Sequence, residues 1–198
     1  MKSRRKAKVY PMNPNFPRIL EAVLLVLTEA KERSWPLTQY DIVKTMFLAD
    51  RAHLNKYGRP ITFDNYVAMK FGPVPSLVYD LLKENRQLLK KYDVAEVPWS
   101  RRKAPEVGET CFVFEHPTRV PDEDLLSPSD VEELTAAMTI VRSLGFHQIK
   151  KLTHEDAAYV DAWDDESDYK QFPMSYALMF ETPNDELAKD LAFLSENI

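Results

Sequence analysis

The chain has 198 residues, 44% of them hydrophobic and 29% charged, the balance of a globular protein and not of a disordered or fibrous one. A single cysteine, Cys111, excludes an intrachain disulfide framework and a thiolate metal cluster, and it suits a reducing compartment. The net charge is −5, yet five of the first eight residues are Lys or Arg, which leaves −10 on the rest. A body of that sign repels a nucleic acid backbone.

The start, MKSRRKAK, is followed by Pro11, Asn13 and Pro14 in place of an apolar run, so it does not read as a secretory signal. The apolar run at 22–27, AVLLVL, is far too short to span a bilayer. We therefore expect a cytoplasmic chain with no membrane partner: a basic, flexible tail over 1–15, frayed and solvated, and one domain over 16–198.

Pro17 opens a helical pattern in which Ile19, Val23, Val26, Leu27 and Ala30 return on one face. Trp35 and Pro36 break it. Thr38 then caps a second helix, with Asp41 as an acidic variant of the capping box and Gly58 as the stop; its wide apolar face, Ile42, Met46, Phe47, Ala49 and Leu54, predicts a central position. Arg59 and Pro60 lead into ITFDNYVAMKFGPV, where alternation predicts a short strand before Gly72 and Pro73. A third helix is expected from Ser76 to Tyr92, with Leu77, Tyr79, Leu81, Leu82, Leu88 and Leu89 as its apolar set.

From 93 to 121 the one clear alternating piece is TCFVFEH, read as a strand forming a small sheet with the earlier one; the preceding SRRKAPEVG reads as an exposed loop. Ser127 and Pro128 open a fourth helix that Gly145 ends, with Leu134, Ala137, Met138, Val141 and Leu144 facing inward. The remainder reads as two or three shorter helices joined at proline-marked turns. The class is mainly α with a small antiparallel β-sheet (α+β) in one compact domain.

Nothing in the chain has the spacing of a catalytic or cofactor motif. His53, His116, His147 and His154 are dispersed and form no HExxH pair, and with four glycines there is no phosphate-cradling loop. Cys111 reads as an alternately buried strand thiol. Asp161, Asp164, Asp165, Glu166 and Asp168 lack the glycine turn and terminal glutamate of a calcium loop and read as a solvated or partner-facing surface. Trp35, Trp99, Trp163, Tyr66, Tyr159 and Tyr176 are divided between core and possible interface anchors. We expect no enzyme, no cofactor and no metal.

The segment Lys44 to Leu82 carries more. Leu48, Asp50 and Arg51 precede a Tyr57-Gly58-Arg59-Pro60-Ile61 turn, then Tyr66, then Gly72-Pro73-Val74-Pro75-Ser76. This pattern resembles the signature of the Panacea domain of SocA-like and GepA-like antitoxins. A second stretch, Leu152, Thr153, His154, Glu155 and Trp163, is similar to the family's Leu-Thr-His segment with its following acids and tryptophan. Apart from any name, Gly58 ends a helix, Pro60 fixes an extended exit, and Gly72 with Pro73 and Pro75 makes a rigid kink. These are scaffold residues.

The resemblance implies an antitoxin of a type II toxin–antitoxin system, neutralising a protein toxin encoded by a neighbouring gene through direct contact. It also implies two alternatives: a proteolytic adaptor that hands a client to a protease, with MKSRRKAK as the protease-touching end, and a DNA-binding regulator, which the acidic body disfavours. Partner contacts are expected from exposed side chains around the kink, Tyr66, Lys70, Phe71 and Ser76, and around His154 and Glu155.

Overall fold

In the computed structural model, which describes residues 6–109 and 111–197, the N-terminal segment is the first departure from expectation. Residues 6 to 15 form no loose tail. Met12 is buried and exchanges two hydrogen bonds with the side chain of Asn65, while the Asn13 amide donates to Ser195 Oγ and Lys6 Nζ to the Ala162 carbonyl. Together these bonds tie the strap to the body at Asn65, Ala162 and Ser195. Residues 1–5 of the expected tail lie outside the described residues.

The strap leads into helix α1 (Phe16–Glu32), capped by Asn15. A two-residue strand β1 (Leu37–Thr38) precedes helix α2 (Gln39–Tyr57). As expected, Thr38 and Asp41 form a reciprocal capping box, and Gly58 ends the helix at φ 80, where its amide donates to Leu54. α2 is central because it is apolar on two sides. Ile42, Val43, Met46 and Ala49 join the core cluster built on α1, whereas Phe47 and Leu54 join a second cluster built from the C-terminal third of the chain.

Strands β2 (Tyr66–Met69) and β3 (Gly72–Pro75) follow as an antiparallel hairpin that pairs Tyr66 with Pro75 and Met69 with Gly72. The expected third helix is two short ones, α3 (Ser76–Leu82) and α4 (Arg86–Lys91). Glu84 lies between them at φ 55, and Asn85 starts α4 by accepting from the Gln87 and Leu88 amides. Leucine periodicity runs through the break, but α4 has no fully buried residue, and its Leu88 and Leu89 pack only partly against the core.

Strand β5 (Phe112–Pro117) lies where alternation placed it, but it does not join β2. It pairs with β1 and with β4 (Trp99–Lys103), a strand inside the stretch read as a loop. Two three-stranded antiparallel sheets result, β1-β5-β4 and β3-β2-β6, the last strand being Phe172–Pro173. Cys111, a half-buried free thiol, sits just before β5.

Helix α5 (Pro128–His154) begins at the Ser127 capping box and kinks at Gly145, whose φ 69 and ψ 177 are not helical, before resuming at Phe146. Leu144, expected inside, is 36% exposed. α6 (Ala157–Ala162), a 3-10 turn at Tyr176–Leu178 and α7 (Asp185–Ser195) complete the second cluster. Among the described residues no helix is long and apolar enough to cross a membrane.

Candidate partner-binding surface and the scaffold beneath it

The segment from Lys44 to Ser76 is organised by buried polar groups. Asp50 is inaccessible to solvent. Its carboxylate accepts from the backbone amides of Ile61 (2.8 Å) and Thr62 (3.0 Å), the Thr62 hydroxyl and the Tyr66 hydroxyl (2.9 Å). Burial pushes the Asp50 carboxyl up, and the hydroxyls of Thr62 and Tyr66 and the two amides pull it back. The turn after Pro60 leaves backbone donors pointing inward, and Asp50 satisfies them.

Asp64 does the same for α3. Pro75, at the cap position, makes no side-chain bond there, so Asp64 accepts from the amides of Leu77 (3.0 Å) and Val78 (2.9 Å). Burial pushes its pKa to about 7, with the Asp50 charge adding to the effect. Between these anchored neighbours Phe63 is held in the left-handed region at φ 52, a strained position for a bulky residue that only its surroundings enforce.

The hairpin is pinned from α2 by Lys44, 1% exposed, whose Nζ donates to the Pro73 carbonyl at 2.7 Å. Burial lowers this amine to about 7. Gly72, at φ 101, is the reason the approach is possible: a Cβ there would stand 2.7 Å from Thr153 Oγ1 and 2.8 Å from Lys44 Nζ. The hairpin is thereby pressed against the last turn of α5. Arg51 donates to Asp156 at 2.7 Å, which itself caps α6. Arg59 reaches Asp130 at 3.0 Å, where Arg18 and His53 also converge. The turn formers are thus joined by side chains that tie α1, α2, α5 and α6 together.

Over this scaffold the expected contact residues fall into three groups. Tyr66 is corrected: it is 2% exposed, its hydroxyl is spent on Asp50, and it presents nothing to a partner. Ser76 is half-buried and its amide donates to the Asn65 carbonyl, at the far end of β3 from the hairpin tip. Lys70 and Phe71 stand exposed at the hairpin tip, beside the end of α5 where Glu155 is exposed and His154 half-buried. The ring of His154 packs 4.4 Å from that of Tyr159, and its Nε2 is buried without a partner. Burial and then the nearby Lys150 and Lys44 lower its pKa.

Sequence reasoning did not single out Asp64, Lys44 or Phe146. An aspartate inside an alternating strand pattern was the available signal for the first; the others carried none. An apolar groove of about 390 Å³ runs along α2 between the two halves of α5, lined by Leu48, Arg51, Ile140, Leu152 and Glu155 among others. Of the aromatic set, Trp99, Tyr66, Tyr159 and Tyr176 are buried, while Trp35 and Trp163 are half-buried. In the acidic stretch, Asp164 and Asp165 accept local bonds from the Glu166 amide and the Trp163 indole.

Comparison with known proteins finds no similar curated protein and no similar solved structure. Residues 42–159, which contain the whole Asp50, Asp64 and Lys44 arrangement and the α5 segment packed on it, match the model for antitoxin SocA-like, Panacea domain. Since the match covers more than half of the chain, the protein belongs to the Panacea-domain family of SocA-like antitoxins.

Proposed function

We propose that this chain is the antitoxin of a type II toxin–antitoxin pair, and that it neutralises a protein toxin from a neighbouring gene by binding it directly. The family match over 42–159 carries the reading. The structure of the signature supports a binding role: its polar residues are spent on backbone amides, carbonyls and helix caps, so it builds a rigid platform and leaves no reactive group facing solvent. It works without catalysis, in the cytoplasm, where the free thiol of Cys111 stays reduced.

The contact surface we assign is the exposed hairpin tip with the neighbouring end of α5: Lys70, Phe71, His154 and Glu155, with Ser76 at its margin. A preorganised surface loses little entropy on binding. The test is growth of cells expressing the adjacent reading frame alone and together with this chain, followed by co-purification. Rescue with a stable complex supports the reading. Toxicity unchanged by this chain overturns it, and rescue without a complex turns it toward degradation or repression.

A further inference from the structure

Three elements distant in sequence bring aromatic rings together in solvent. Phe71, from the hairpin tip, and Phe146, from the first residue after the α5 kink, stand edge to face with ring centres 6.0 Å apart and are 48% and 43% exposed. Tyr40, from the first turn of α2, backs Phe146 at 4.7 Å. The kink matters here. A glycine at φ 69 redirects the chain, so Phe146 meets the hairpin and does not continue the face of the preceding helix.

The same patch concentrates positive charge. The ammonium groups of Lys70 and Lys150 lie 5.8 Å and 5.6 Å from the centre of the Phe71 ring, within cation–π range. Lys151 is exposed beside Lys150, and from Val141 to His154 the sequence contains Arg142, Lys150 and Lys151 with no Asp or Glu. Among the described residues none of these four cations makes an ion pair with the protein's own acids. Asp41 is turned into its own helix cap, and Asp165 holds the Trp163 indole. On a chain of net charge −5, this is a basic and aromatic site whose lysines are unpaired among the described residues, with Glu155 the exposed acid at its edge.

We propose that the Phe71–Phe146 patch, rimmed by Lys70 and Lys150, docks an acidic protein segment that carries an aromatic or aliphatic anchor. The exposed ring edges accept the anchor, and the ammonium groups meet flanking carboxylates, which adds specificity and association rate. A nucleic acid fits less well. The faces of Phe71 are attended by two ammonium groups and Phe146 is backed by Tyr40, so neither ring offers the open stacking platform that bases require, and the rest of the molecule repels phosphates. The proposal rests on the antitoxin reading for the partner's identity and not for the chemistry of the surface.

The test uses the full chain against a random-peptide display library at low salt, in parallel with K70E/K150E and with a control reversal on other exposed lysines, K31E/K189E. The expected result is enrichment of peptides with net negative charge and an apolar anchor. These should bind K70E/K150E about tenfold or more weakly, bind K31E/K189E as wild type, and weaken with salt. Circular dichroism melting confirms that both variants fold.

The proposal is overturned by no enriched peptide, by enrichment of neutral or basic peptides, by equal binding to K70E/K150E, or by a short oligothymidylate that binds in a way the K70E/K150E change abolishes. The chain's own acidic loop, with Tyr169 78% exposed, has the chemistry of the expected ligand. Concentration-dependent self-association lost in K70E/K150E, seen by sedimentation, therefore also overturns it in favour of a second copy. A toxin complex that K70E/K150E forms as well as wild type breaks this proposal alone. Acidic-peptide binding without any toxin complex breaks the antitoxin reading alone.

Discussion

The two small sheets are built in opposite ways. β3-β2-β6 is buried at its hairpin, although β6 lies at the surface: all four residues of β3 are buried, and the polar groups around it, Asp50, Asp64 and Lys44, are buried with it and matched to backbone partners. β1-β5-β4 packs Leu37, Trp99 and Phe114 on the core but carries its polar groups, Ser100, Arg102, Lys103 and Glu115, in solvent. Its register slips between Trp99 and Arg101, and Arg102 is tied to Glu106 and Glu115 by ion pairs in which both partners are about half exposed. The first sheet is specified by groups that lose much if left unpaired, whereas solvent can substitute for most contacts of the second. This difference explains why the recognisable signature surrounds one sheet, even though both have the same number of strands.

The sharpest way to break the contrast is Asp50→Ala, which leaves the Ile61 and Thr62 amides and the Thr62 hydroxyl without an acceptor in the interior, the Tyr66 hydroxyl keeping only the Met46 carbonyl at 3.3 Å. Urea unfolding should show a loss of about 3–5 kcal/mol, with Asp50→Asn, which keeps one acceptor oxygen, intermediate. A loss no larger than for Arg102→Ala would erase the distinction between the sheets. Next is Gly72→Ala. The added methyl meets Thr153 and Lys44 at under 3 Å in a left-handed backbone, and the expected cost is about 2–4 kcal/mol by the same measurement.

Lys44 and Asp64 predict a pH dependence. Buried Lys44 titrates near 7 in the folded chain and near its ordinary, higher value when unfolded. The unfolded state therefore binds more protons between these values, and stability rises with pH above 7. Asp64, raised to about 7, acts in the other window and costs stability as pH rises from the ordinary carboxylate range to 7. The melting temperature of wild type should climb from neutral to mildly alkaline pH, and in Lys44→Met that climb should vanish while the acid-side decline persists. The smallest effect is expected from Arg102→Ala, whose ion pairs are solvated and screened: no resolvable change in melting temperature and no loss of any partner complex.

Much of the fold was legible where the controlling interactions are local. Thr38, Asp41 and Gly58 set both ends of α2 within its own length, Ser127 and Pro128 started α5, and Gly145, read as the end of α5, breaks its regular geometry but leaves it running on to His154. The same local reading failed where the deciding partner is remote. Leucine spacing ran straight through Glu84, because periodicity does not report whether another element is present to bury the face. Trp99 to Lys103 lacked alternation and became a strand because β5 supplies its hydrogen bonds.

The candidate site shows the same division. Composition, caps, turn formers and the spacing from Leu48 to Ser76 determined by themselves the class of fold and the family, since they are properties of neighbouring residues. Only the tertiary structure decided that Tyr66 turns inward to Asp50 while Phe71, five residues on, turns outward, and that Phe146 comes to stand beside it. Exposure and charge pairing depend on what packs against a residue, and those partners come from other elements of the chain.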